Sequence, residues 1–197
     1  NVAWLLNLRG KDNPYSPIPN CQIILTKNKE IYFFSLKERI VKIKNQYPYK
    51  NFNFLNFNEF VSLINQLHRK HFCIDGSTCS VFYETIIKSK FNCKSLADPC
   101  YEMKAIKNKT EIKSMIKAHI YDGVALTKFI YWIKNSKKFN FTEIDAGKKL
   151  ERFRKQNINY LYPSFNTIAG SGPNSAIIHY RANKLSNRKI NKNDIFL

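Results

Sequence analysis

The sequence predicts an α/β (α+β) protein built in two parts, and three observations lead there. In the first part, short β-branched and aromatic runs alternate with helical periodicities, the pattern of a small mixed sheet flanked by helices. Near residue 107 the texture changes to long amphipathic helices followed by a glycine- and proline-bearing stretch, with no repeat and no low-complexity linker. The chain has 197 residues, 44% of them hydrophobic and 14% aromatic, which is enough to bury a core.

The elements follow in order. "CQIILT" (21–26) and "EIYFF" (30–34) read as strands joined by the polar turn "KNK", a hairpin. A helix comes next, spacing Leu36, Ile40 and Ile43 at helical intervals. Another over 58–70 puts Phe60, Leu63, Ile64 and Leu67 on one face behind Asn58 as its cap. "HFCID" (71–75) reads as a short buried strand, and Ser77 as the cap of a helix ending near Lys88.

In the second part Thr110 is positioned to cap a long helix, with Glu111 at its positive end. Its expected buried stripe runs through Ile112, Met115, Ile116, His119, Gly123, Leu126 and Ile130. Thr142 and Asp145 approximate a capping box for a further helix whose apolar face is Ala146, Leu150 and Phe153. Pro163 then imposes extended chain. "SFNTIAG" and "SAIIHYR" flank "SGPN", and the expectation is a β-hairpin. On its second strand Ile177, His179 and Arg181 would share one face.

Composition limits the function classes. No run of eighteen apolar residues occurs and "NVAWLLNLRG" lacks a basic leader, so neither a membrane span nor a signal peptide is expected. Five cysteines, odd in number and without a CxxC pair, argue against a disulfide framework or zinc ribbon and fit a reducing, cytoplasmic compartment. The net charge of +19 is the footprint of a nucleic-acid binder. Yet "KNKEIYFF", "KERIVKIKNQ", "KNKTEIKSMIK" and "NSKKFNF" disperse the lysines among apolar residues, and Lys, Asn, Ile, Phe and Tyr are residues of A+T-rich codons. No specific nucleic-acid partner is expected.

His179 is the candidate site residue, because an imidazole can donate or accept a proton near neutral pH. By itself, a lone histidine beside isoleucines is more often a hydrogen-bonded core residue. His68, His71 and Cys73 in "HRKHFCID" have a ligand-like spacing but no matching second pair, and read as surface and strand residues.

Four blocks, "VAWLLNLRGKDNPYSP", "KNKTEIKSMIKAHIYDGVALTKFIYWI", "TEIDAGKKLERFR" and "SFNTIAGSGPNSAIIHYR", occur in that order from the first residues to near the end. Together they closely resemble consecutive blocks of the Xaa-Pro aminopeptidases of the pita-bread metallopeptidase superfamily. The resemblance implies that residues 1–105 are the C-terminal part of a creatinase-type α/β domain. Residues 106–197 would then open the pita-bread peptidase domain. It implies removal of an N-terminal residue that precedes proline, on peptides with proline at the second position, by an enzyme that is often homodimeric.

It further implies that His179 lines the substrate cleft and hydrogen-bonds the substrate or transition state. Phe165 matches an aromatic position of the pocket for the substrate's N-terminal side chain, core packing being the other reading. The family holds two divalent metals, usually Mn²⁺, on two aspartates, a histidine and two glutamates, with a bridging water as nucleophile. By the family's order those aspartates would lie past Leu197, so no metal is expected on this chain. The expectation is a piece of a longer chain, inactive alone, with a catalytically dead remnant or a basic nucleic-acid module as alternatives. One departure stands out: "HYRANKLSNRKI" keeps Asn187 and Arg188 but lacks the usual proline-containing turn after the tyrosine.

Overall fold

The computed structural model describes residues 1–46, 51–68, 71–136 and 140–197. Arg69 and Lys70, the end of the helix expected over 58–70, and residues 137–139 within "NSKKFNF" lie outside the described residues. The chain divides into two compact units, Asn1–Asn13 with Pro17–Ile106, and Pro14–Ser16 with Lys107–Leu197.

The first unit opens with a short helix α1 (Val2–Leu5) and the expected hairpin, β1 (Gln22–Leu25) against β2 (Ile31–Ser35). Lys29 closes the turn with φ +64°. Helix α2 (Lys37–Gln46) then crosses to β3 (Phe52–Asn56), which pairs with β2 in parallel. Strand β4 (His71–Ile74) leads through α4 (Val81–Lys88) to β5 (Asn92–Ser95), again in parallel, and α5 (Cys100–Ala105) follows. Each β–helix–β step supplies the long connection that parallel pairing requires.

Among the described residues two sheets stand where one mixed sheet was expected: β1-β2-β3 and β4-β5. Successive Phe33 and Phe34 point to opposite faces of β2 and seed two clusters. Phe33 packs with Leu6 and Leu8, while Phe34 packs with Phe60, Leu63, Ile64, Ile74, Ile87 and Phe91. Helix α3 (Phe60–Gln66) therefore buries the face read from its spacing.

Helix starts differ from the expected caps by two or three residues. Asn56, not Asn58, caps the 3₁₀ turn that leads into α3, in a capping box with Glu59. Ser80, not Ser77, caps α4, because the Asp75 carboxylate already holds the Ser77 amide (2.9 Å) and hydroxyl in a turn.

The second unit is dominated by α6 (Lys109–Lys134) and α7 (Glu143–Arg154). Asn108, not Thr110, caps α6 in a reciprocal box with Glu111. The expected stripe of α6 is not its buried face. Ile112, Met115, Ile116, Leu126 and Ile130 are each more than 40% exposed, while Ala125 and Phe129 are buried. Phe129, Phe141, Ala146 and Ile190 form the core here, backed by Trp132, Leu150 and Phe153, so the α7 face is as expected. Thr142 caps α7 and Asp145 returns the bond, again as expected.

The hairpin expected over 164–181 does not form. Residues 172–176 wind into a 3₁₀ turn, and the extended partner of Gly170–Gly172 is the C-terminal Ile195–Leu197. Gly170 N–H and carbonyl both bond Leu197, at 3.0 and 2.9 Å, and Gly172 N–H bonds the Ile195 carbonyl at 2.9 Å. The apolar "IFL", and not "SAIIHYR", lies along that edge. A Cβ at Gly170 would lie 2.8 Å from the Asn174 carbonyl oxygen, so the turn needs glycine there.

Candidate functional site

The segment carrying His179 is organised by the first residue of α7. Glu143 has no solvent exposure, and its carboxylate is surrounded by donors. Oε1 accepts from the Ser171 N–H at 2.7 Å and the Asn174 side-chain amide at 3.0 Å. Oε2 accepts from the Tyr180 hydroxyl at 2.7 Å and the Arg188 N–H at 3.1 Å. Burial pushes the Glu143 pKa up, but these hydrogen bonds outweigh it and hold the carboxyl below its usual range. Tyr180, buried as well, is pushed up chiefly by desolvation and stays a neutral donor.

The rest of the loop is tied to the same frame. The Ile144 N–H donates to Asn187 Oδ1 (3.1 Å), and the Glu143 N–H donates to the Arg188 carbonyl (3.0 Å). The Ser171 hydroxyl donates to Asp194 (2.8 Å), whose carboxyl is held low first by that bond and then by the Asn191 N–H.

His179 sits at the corner of the turn 177–180, exposed, with φ +55°. Left-handed backbone is uncommon for a non-glycine residue, although histidine tolerates it better than a β-branched one. The strand alternation expected for Ile177, His179 and Arg181 is thereby overturned: Ile177 and Ile178 are exposed at 51% and 86% while Tyr180 is buried. Phe165 is 65% exposed, so the core-packing alternative fails for it in this chain. An open groove of about 360 Å³ in the second unit is lined by Glu143, Gly147, Asn166, Thr167, Arg181 and others, and by neither His179 nor Phe165.

His68, His71 and Cys73 are exposed. Among the described residues no group of three or more His, Cys, Asp or Glu side chains could hold a metal ion. Asp145, Asp194 and Glu143 are each committed to caps and loop amides. The described residues therefore do not fit a dinuclear metal centre.

Residues 1–111 match the Creatinase/Prolidase N-terminal domain family, and residues 113–197 match metallopeptidase family M24. The chain belongs to the Creatinase/Prolidase N-terminal domain family. It is 32% identical over 209 aligned residues to Xaa-Pro aminopeptidase ApepP of Drosophila melanogaster, covering 100% of this chain and 33% of that protein. A probable Xaa-Pro aminopeptidase P of Ajellomyces capsulatus is 30% identical over 93% of this chain and 31% of its own length.

Among solved structures, the X-prolyl aminopeptidase of Caenorhabditis elegans, described as a cytosolic enzyme with a di-nuclear active site, superposes with TM-score 0.84. It is 26% identical, over 99% of this chain and 33% of that one. The X-Pro aminopeptidase of Thermotoga maritima, 18% identical over 89% of this chain and 48% of its own, shares the fold with TM-score 0.67. The chain spans about a third of the length of the curated relatives it matches.

Sequence reading singled out His179 as a candidate and passed over Glu143, Asn174 and Tyr180, the residues that tie down the segment carrying it. A glutamate in the first turn of a helix ordinarily faces solvent beside the helix dipole, so nothing in "TEID" announces a buried hub. The clue, in hindsight, is the tyrosine directly after the histidine in a segment otherwise exposed.

Proposed function

We propose that this chain is one part of a metalloaminopeptidase that removes the N-terminal residue preceding proline from peptides. The observation that carries the reading is likeness along the whole chain, in sequence to ApepP and in fold to the Caenorhabditis elegans enzyme. In it, residues 1–105 belong to the non-catalytic creatinase-type domain and residues 106–197 to the peptidase domain. His179, exposed on a fixed turn, hydrogen-bonds the substrate or transition state, and Phe165, an exposed aromatic ring, walls the pocket for the N-terminal side chain.

Two divalent metals, Mn²⁺ by family habit, would be held by residues outside 1–197, since among the described residues no three His, Cys, Asp or Glu side chains are grouped to hold one. On that reading the chain alone is inactive and the complete enzyme is a homodimer; it is cytoplasmic, in keeping with the cytosolic Caenorhabditis elegans enzyme. The expected result is no hydrolysis of an Arg-Pro-Pro peptide by the 197-residue chain in excess Mn²⁺. Joined to the remainder of a peptidase domain, it should give chelator-sensitive hydrolysis that His179→Ala slows by about 10²-fold at unchanged metal content. Wild-type turnover in that variant refutes the role given to His179, and chelator-sensitive activity that copurifies with the short chain refutes the need for outside ligands.

A further inference from the structure

The turn that presents His179 is anchored at both flanks by one carboxylate. Within it, the Tyr180 N–H donates to the Ile177 carbonyl at 3.2 Å, and His179 is the third residue with positive φ. That is the position of a type II turn that glycine or asparagine ordinarily fills. A histidine there persists only where the surroundings over-determine the backbone.

Both sides supply that constraint. Upstream, the Ile177 N–H donates to the Asn174 carbonyl (3.2 Å), and the Asn174 side-chain amide reaches both Glu143 oxygens, at 3.0 and 3.2 Å. Downstream, Tyr180 is buried with its hydroxyl on Glu143 at 2.7 Å. The Ser171 and Arg188 amides bond the same carboxylate, so the span from 171 to 188 is tied at its start, its middle and its end. Every group facing Glu143 in these bonds is a donor, and only a carboxylate can accept them all.

We infer that Glu143 is the positioning residue of His179: by pinning Asn174 and Tyr180 it fixes the imidazole-bearing turn in its left-handed conformation. The inference rests on the reading of His179 as the group that contacts substrate. A residue that must meet a reacting atom gains from a rotation-locked backbone, because misplacement by a fraction of an ångström weakens the contact.

The test is NMR of the 197-residue chain, reading the backbone shifts and the amide–α-proton coupling of His179 together with amide exchange at Tyr180. Wild type should show one left-handed conformer. Tyr180→Phe removes a hydroxyl and keeps the ring in its seat, and Glu143→Gln replaces one acceptor by a donor. Both should average the His179 signature toward extended backbone and speed Tyr180 exchange by about tenfold or more, with α6 and α7 unaffected in Tyr180→Phe. His179→Gly should keep the turn left-handed even in the Tyr180→Phe background, since glycine needs no anchoring there.

A folded Tyr180→Phe chain with unchanged His179 couplings and unchanged exchange overturns the inference, and it decides the matter even where Glu143→Gln unfolds the second unit. These signatures do not depend on turnover. Failure of the His179→Ala kinetics would remove the catalytic role while leaving the positioning result to stand or fall alone.

Discussion

A carboxylate without solvent exposure survives only where protein donors replace its water. Glu143 has four donor groups of this kind, so removing its charge leaves several of them facing an amide or a void. Glu143→Gln should therefore destabilise the second unit by about 2–4 kcal/mol, measured by urea unfolding at pH 7. The pH dependence follows from the same depressed pKa. Its stabilisation is full above the unfolded-state value of about 4.3 and is lost as pH falls through the lower folded value. The wild-type midpoint should hold from neutral pH down to about 5 and fall steeply below about 4, and the Glu143→Gln midpoint should fall less over that acid range. An unchanged acid slope in the variant would mean that Glu143 is not the group being titrated. At this scale the sequence offers the histidine as a candidate through its motif, but it hides the carboxylate, because burial at a helix start is decided by what the distant 171–188 segment does.

At the scale of elements, legibility followed how local the determinant is. The β1–β2 hairpin and the Thr142 capping box rest on contacts within a few residues, and the α3 face is written in a helical spacing over residues 60–67; all formed. Strands β3 and β5 passed unread because each exists by pairing with a remote partner, β2 and β4. The 164–181 hairpin failed for the same reason, its edge being taken by Ile195–Leu197. Helix α6 shows what periodicity cannot decide: it has two apolar faces, and among the described residues the one with Ala125 and Phe129 is the one that packs. Phe129→Ala should cost about 3 kcal/mol of stability. Ile116→Lys on the exposed stripe should change stability by less than about 0.5 kcal/mol while lowering dye binding and concentration-dependent association, because it breaks an apolar surface. A destabilisation by Ile116→Lys comparable to that of Phe129→Ala would show the two faces to be misassigned.

For the whole molecule the charge of +19 is the feature that function has not absorbed. Its carriers are spread over both units and many are locally engaged. Arg39 pairs with Asp12, Lys88 with Glu84, Lys155 with Glu151 and Arg154 with Asp122. Other lysines lie across aromatic rings, Lys44 over Phe54, Lys117 over Tyr121, and Lys149 over both Trp132 and Phe153. A surface of this kind attracts any polyanion by counterion release and reads no base, since phosphate contacts alone carry no sequence information. Titrated at physiological ionic strength, a random duplex, a single strand and heparin should therefore bind weakly and alike. Binding should weaken further with salt along a slope set by the number of phosphates neutralised, about −0.9 for each on duplex DNA. Submicromolar affinity with a preference for one nucleic acid would instead require aromatic or basic side chains converging on a groove, and would restore the basic-module reading over the peptidase one.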